Sequence, residues 1–513
     1  MSRDGRERTD PDAAKRDRNA RRAARHVRRS PIGARFGPLT RRALTAGAVA
    51  MAAAALLCTA VAAVSDQRAI GPFAGTAAAA TALTLLLRRS WVGRAMPTPT
   101  GRDGLMAAGL TWIATSLFAG VPLLLSDATP RVAQAIFEGT SGITTTGATA
   151  IADVDGQAHA VLLWRSLSHW IGGIGIVVLL VAVAPAAGGA ARRVLLGETS
   201  RATEETVAPQ MRDTARITAQ LYLAATAIFL VVLLLVGLTP WEALNHAMSM
   251  VASGGFSTRT ASAGGFDSPQ VEIAMFVLMV AAGVSYVVWW RLVLRRGLGH
   301  HGAELRAYLL FILAIGVLLA IAAHGGHAPR SALDGLFTSA SIVTGTGFTT
   351  ADPDTWGEEA RLLVLIAIAS GGMVGSTTGG FKVRRWLTLV GGVRAEVQRQ
   401  IAPQRIVVVR IGGKPVSEDT VRAAFGFMAV AFLALLGGAA LLAANGFDLL
   451  SAFSGSAASL FNVGPGLGSL GGTETYADVP DSGLLGLSFL MVLGRLELFT
   501  VLALFTRGLW RAR

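Results

Sequence analysis

The chain has 513 residues, 52% of them hydrophobic and 15% charged, and a formal net charge of +14. Soluble domains carry about 25% charged residues, so this composition excludes an ordinary soluble domain and indicates an integral membrane protein. Much of the positive charge sits in an amino-terminal tail and in loops between apolar spans, where positive-inside topology accounts for it without nucleic acid. Cys58 is the only cysteine, which excludes an intramolecular disulfide and a cysteine-based metal site.

Residues 1–43 are rich in arginine, and no acid follows Asp17. Their composition predicts a disordered tail. It either fixes topology from the cytoplasmic side or tethers anionic lipid or nucleic acid. A signal peptide is not indicated, because the basic region is too long. Residues 44–100 form the next region, a membrane hairpin with apolar stretches at 44–64 and 70–87. Arg88, Arg89 and Arg94 follow and place that end inside.

Four units of one design come next, at 101–200, 201–300, 301–415 and 416–513. Their apolar spans are predicted at 105–125 and 160–184, 217–238 and 271–294, 305–323 and 361–389, and 420–443 and 483–510. With the hairpin this makes about ten spans. Between the two spans of each unit lies a helix-length stretch of small and apolar residues that runs into a loop of Thr, Ser, Gly and Asn. These stretches cover 137–149, 245–257, 337–349 and 454–466. They align on Gly147, Gly255, Gly347 and Gly464. Six positions upstream stand Ser141, Ser249, Ser341 and Ala458; thirteen upstream stand the polar Gln134, Glu242, Asp334 and Ser451.

Such loops cannot face lipid, because their backbone groups would lack partners. They can line a water-filled path, where successive carbonyls replace the water shell of a small cation. The candidate filter residues are Thr144, Thr145, Thr146 and Gly147; Ala252, Ser253, Gly254 and Gly255; Thr344, Gly345, Thr346 and Gly347; and Phe461, Asn462, Val463 and Gly464. The plainer alternative is that small residues let membrane helices pack closely. Basic residues crowd the joins between units, at Arg192, Arg193, Arg291, Arg295, Arg296, Lys382, Arg384, Arg385, Arg394 and Arg399. Arg507, Arg511 and Arg513 close the chain, and more of the acids lie on the loop side. All four loops therefore enter from the outside, and the units are parallel repeats. The expected fold is an all-α integral membrane protein: four parallel helix–pore-loop–helix repeats around one pore, plus the amino-terminal hairpin.

Within the third unit a second glycine cluster interrupts an expected span. Gly371, Gly372, Gly375, Ser376, Thr377, Thr378, Gly379 and Gly380 form it. Each glycine costs a helix about 1 kcal/mol against alanine. The cluster is either a flexible gate below the filter or a kinked helix packed on its neighbours. Arg495 and Glu497 lie in the last span. Arg495 faces the water path, or it pairs with Glu497 or a carbonyl. Arg165 and His169 are expected as interfacial or packing residues, with Trp164 and Trp170 as membrane-surface anchors.

These strings are similar to a known family. TTTGA at 144–148, SGGFSTR at 253–259, TGTGF at 344–348 and NVGPG at 462–466 resemble the TrkH-like membrane subunits of bacterial potassium uptake systems, in the superfamily with KtrB and the plant HKT transporters. WRSLSHWIGGIGI, GGMVGSTTGGFK and GRLELFTVL extend the resemblance over almost all of 44–513. The resemblance implies gated potassium uptake through a carbonyl filter, with potassium held at the filter residues. It implies that 371–382 is the intramembrane gate and that Arg495 lies near the pore. It also implies a homodimer in the bacterial plasma membrane, both termini cytoplasmic, opened by a cytosolic nucleotide-binding TrkA-like subunit. No cofactor is expected beyond the ion itself. In this family a serine at the first filter glycine goes with sodium permeation; glycine stands at all four positions here. Gly345 and the long basic tail depart from the family pattern. A sodium-permeable member of the same fold and a secondary transporter of another solute are the competing readings. No HExxH, nucleophile-elbow or P-loop motif points to an enzyme.

Overall fold

The computed structural model describes residues 37–89, 100–183, 211–323 and 329–510. Most of the basic tail lies outside the described residues, as do Arg94, Arg192, Arg193, Arg511 and Arg513, on which part of the topology expectation rests. The amino-terminal hairpin is α1 (Pro38–Ser65) and α2 (Ile70–Arg89). Met51, Ala54, Ala55, Cys58 and Ala62 recur at helical spacing and form the buried stripe of α1. Its first turn is tied to the start of α3 (Gly101–Leu125). The buried Asp103 accepts the Leu39 and Thr40 amides at 2.7 and 3.1 Å and the Thr40 hydroxyl at 2.6 Å. A distant carboxylate thus supplies the cap that Gly37 cannot. Asp103→Ala is expected to cost about 1–2 kcal/mol, read as a lower unfolding temperature in detergent.

The first unit continues with α4 (Val132–Ile143) and α5 (His159–Val183). The second holds α6 (Met211–Leu235), α7 (Pro240–Val251), α8 (Pro269–Ala282) and α9 (Tyr286–Val293). The third holds α10 (His301–Ala322), α11 (Pro329–Val343), α12 (Glu358–Ile368) and α13 (Val383–Ile401). The fourth holds α14 (Glu418–Ala444), α15 (Leu449–Leu460), α16 (Asp481–Arg495), α17 (Phe499–Leu504) and α18 (Arg507–Trp510). A two-residue hairpin, β1 (Arg410–Ile411) against β2 (Lys414–Pro415), precedes α14.

Packing follows one rule. Inside each unit the short helix lies on the long helix before it: α4 on α3, α7 on α6, α11 on α10, α15 on α14. Between units, the helix after each loop lies on the next short helix: α5 on α7, α8 on α11, α12 on α15, and α16 back on α4. The last unit therefore closes a ring with the first. The polar position thirteen residues before each aligned glycine has a local cause in three units. It is the third residue of the short helix, where it completes the cap. Gln134 Oε1 accepts the Arg131 amide at 3.2 Å, Glu242 Oε2 accepts the Thr239 amide at 3.3 Å, and the Ser451 hydroxyl donates to Asp448 at 2.6 Å. In the third unit Asp334 lies deeper in the helix, 3.7 Å from Arg330.

Among the described residues six helices are long and apolar enough to cross a membrane, or seven if the bent α8–α9 pair is one span. Three of the ten spans expected as continuous are broken. The 271–294 span bends by 96° between Ala282 and Tyr286. The 361–389 span is interrupted between Ile368 and Val383. The 483–510 span breaks after Arg495, where Glu497 and Leu498 take φ of +63° and +39°.

Candidate functional site

Each short helix ends directly in its loop, and the loops share a backbone geometry. The amides of Thr146, Gly254, Thr346 and Val463 donate to the carbonyls of Ser141, Ser249, Ser341 and Ala458, all at 2.9 Å. Two residues before each aligned glycine the chain is left-handed: φ is +54° at Thr145, +53° at Ser253, +67° at Gly345 and +54° at Asn462. Left-handed φ is uncommon outside glycine. Its recurrence at one register means that the loop imposes it.

The aligned glycines meet in order. A β-carbon on Gly147 would lie 2.7 Å from the Gly255 nitrogen, and one on Gly464 would lie 2.7 Å from the Thr146 oxygen. One on Gly255 would strike the Thr346 oxygen, and one on Gly347 the Val463 oxygen. The four loops thus form a closed cycle in chain order. All four glycines line one cavity of about 60 Å³, shared with Arg165, Arg259, Glu474 and Tyr476. Thr144, Thr145, Thr146, Ala252, Ser253, Thr344, Thr346, Phe461, Asn462 and Val463 are buried. The Asn462 side-chain amide crosses to the Thr146 hydroxyl at 2.9 Å, joining fourth loop to first. The short helices aim their carboxyl ends, and the partial negative charge those carry, into the cycle.

The glycine cluster of the third unit is irregular from 369 to 382. All eight of its singled-out residues lie in this one loop, and none is helical. It touches two of the four loops at residues preceding their aligned glycines. Ser253 and Thr377 hydroxyls are 2.7 Å apart, the Thr377 hydroxyl donates to Val251 O at 3.1 Å, and the Gly380 amide donates to Phe461 O at 2.9 Å. The cavity lined by the aligned glycines lies toward the other end of the loops. The glycine loop is also anchored on the α8–α9 break, where the Met373 amide donates to Gly283 O and the Tyr286 amide to Gly375 O, both at 3.0 Å. Glu304 accepts the Val374 amide at 2.8 Å.

Arg495 resolves its own alternatives. It is buried, and Nη1 donates to Thr377 O at 2.8 Å. Nε and Nη2 have no hydrogen-bond partner among the described residues. Glu497 pairs instead with Arg385, whose guanidinium also covers Phe427. The helix break separates the two charges that the sequence places together.

Trp164 is not a membrane-surface anchor, and of the two expectations for Arg165 the packing one holds. Trp164 is buried and donates to Ala119 O at 2.8 Å. Arg165 meets Glu138 at 2.8 Å, with side chains 3% and 0% exposed, and its Nη1 donates to Ser257 O at 2.9 Å. Glu138 also accepts the Ala150 amide at 2.7 Å. Trp170 is half-buried and bonds Thr226 at 3.2 Å. These residues face inward because α5 packs on the second short helix. The sequence motifs do not single out Glu138. The usable signal was an acid and an arginine in apolar stretches of one unit, which lipid cannot solvate and which therefore pair.

The family profile for TrkH, described as a cation transport protein, matches residues 76–322 and 325–510. The Trk system potassium uptake protein TrkH of Vibrio parahaemolyticus is 34% identical over 427 residues, covering 80% of this chain and 86% of that protein. Its counterpart in Halomonas elongata is 35% identical over 424 residues with the same coverage. The crystal structure of the potassium transporter TrkH from V. parahaemolyticus matches with a TM-score of 0.78 at 31% identity, covering 92% of this chain and 99% of that one. A helical membrane fold and a likeness that runs the length of the chain lead to one assignment: the chain belongs to the TrkH family of cation transport proteins.

Proposed function

We propose that this chain carries potassium into the cell through the cycle of four loops. The observation that carries the reading is the closed contact order of Gly147, Gly255, Gly347 and Gly464. Backbone carbonyls stacked along such a cycle take over from water around a dehydrated monovalent cation. Glycine at all four positions favours potassium over sodium. An inside-negative potential supplies about 2.3 kcal/mol per charge per 100 mV, so accumulation needs no ATP hydrolysis by this chain and no cofactor. The 369–382 loop is the gate, and Arg495 holds it through Thr377. The chain works as a homodimer in the plasma membrane with both termini in the cytoplasm. A cytosolic nucleotide-binding subunit of the TrkA kind, rather than nucleic acid, controls its opening.

The test is ion-replacement uptake in cells lacking other potassium importers, with and without a candidate regulatory subunit. Potassium uptake that sodium does not replace is the expected result. Equal sodium uptake would favour a sodium-permeable transporter instead. In the same assay Arg495→Ala is expected to raise subunit-independent uptake. It removes one net hydrogen bond from the gate loop, a shift of about three- to tenfold, and an uncompensated cation from beneath the filter. Reduced uptake at normal membrane abundance would count against a gating role.

A further inference from the structure

The four loops are not equivalent at one peptide. Gly147, Gly347 and Gly464 hold φ of +85°, +78° and +101°, whereas Gly255 lies outside the left-handed region. The preceding carbonyl differs as well. Gly254 O accepts the Ser249 hydroxyl at 3.0 Å. The equivalent oxygens of Thr146, Thr346 and Val463 have no donor among the described residues. Ser249 sits on the short helix behind the loop. A carbonyl bonded to it is drawn toward that helix, and a glycine on each side lets the peptide rotate without a side-chain clash.

The hydroxyl that holds Gly254 is itself held. His169 Nδ1 lies 2.9 Å from Ser249 Oγ. A hydroxyl has one proton; with it on Gly254 O, the imidazole donates from Nδ1. Its ring stacks on Phe256 at 4.1 Å with an interplanar angle of 8°, and Arg165 lies over the same phenyl ring at 4.1 Å. A β-carbon at Gly254 would strike the imidazole. The other units lack this device. Ser141 Oγ has no partner among the described residues, Ser341 Oγ donates to Phe348 O at 2.6 Å, and Ala458 has no hydroxyl.

We infer that the Gly254–Gly255 peptide is turned out of the carbonyl ring and locked there by Ser249 and His169, so that this plane of the filter presents three carbonyls rather than four. His169 and Ser249 are then positioning residues that set ion preference without touching the ion. The inference rests on the filter reading above and deepens it. Releasing the peptide lets the fourth carbonyl return, and a fuller ring discriminates more strongly against the smaller sodium ion.

The experiment measures the potassium-to-sodium uptake ratio of the full chain in importer-deficient cells. Ser249→Ala is expected to raise the ratio about three- to tenfold, the population shift that one net hydrogen bond gives. Ser249→Cys, which keeps the volume with a weak donor, is expected to move it the same way. Ser249→Thr, which keeps the hydroxyl, is expected to hold the wild-type ratio. An unchanged or lowered ratio in Ser249→Ala or Ser249→Cys overturns the inference, as does an equal shift in Ser249→Thr. Gly347→Ser is run in parallel. If it moves the ratio and Ser249→Ala does not, the filter stands and the lock falls. If neither moves it, the filter reading itself falls.

Discussion

Gly347→Ser is expected to cut the preference for potassium over sodium by at least about tenfold, equivalent to about 1.4 kcal/mol, while the protein still reaches the membrane. Two constraints meet at this residue. Its φ of +78° disfavours any side chain, by about 1–2 kcal/mol. A β-carbon would strike the Val463 oxygen and lie 2.9 Å from the Pro465 side chain. The third loop, the fourth loop or both must move, and the carbonyl spacing moves with them. The short helices and the spans around them are anchored elsewhere, so folding survives. Val430→Ala is the control, since Val430 is half-buried on α14, away from the loops. Ion-replacement flux at matched membrane abundance reads the outcome. Equal ion ratios for Gly347→Ser and Val430→Ala would remove the filter from these loops.

The loops were legible in the sequence because their backbone leaves a compositional trace. Near-contact of neighbouring chains leaves room for few side chains, and left-handed φ favours Gly and Asn, so small polar residues recur at fixed offsets. The caps thirteen positions upstream left a trace for the same reason, since only polar groups satisfy a helix start. The irregular 369–382 loop announced itself through glycine density. The breaks at 283–285 and after Arg495 were not legible. Hydropathy measures transfer from water, and both segments are apolar on either side of the break. At 283–285 the backbone is satisfied by a distant partner, Gly375 O for the Tyr286 amide, while after Arg495 the turn closes locally, the Glu497 and Leu498 amides donating to Gly494 O and Leu493 O. The direction of Arg165 was hidden as well. A charge near the end of a span reads as interfacial or packing until the contact of α5 with α7 places it behind two loops. The Gly254–Gly255 peptide is hidden in principle, because glycine permits both of its orientations.

Arg165→Met is expected to destabilise the protein more than any other single change considered. Removing one partner of a buried ion pair leaves an uncompensated charge and costs about 3–5 kcal/mol. Glu138 is fully buried, and its remaining bonds to the Ala150 amide and the Thr149 hydroxyl cannot neutralise it. Lower membrane abundance and a strongly reduced unfolding temperature are the expected readouts. Glu138→Gln in the same chain removes the stranded charge, so the double variant should recover much of the lost stability. The cycle of single and double variants measures the coupling. Recovery of stability is not recovery of function. Arg165 also donates to Ser257 O, just beyond the second aligned glycine, while Glu138 holds the Ala150 amide just beyond the first. The pair therefore ties two of the four loops to each other, and on the proposed function a recovered double variant should fold yet discriminate potassium from sodium less well than the parent. A single Arg165→Met variant as stable as the parent would show that Glu138 is not held as a charge, and the tie between the loops would have to be sought elsewhere.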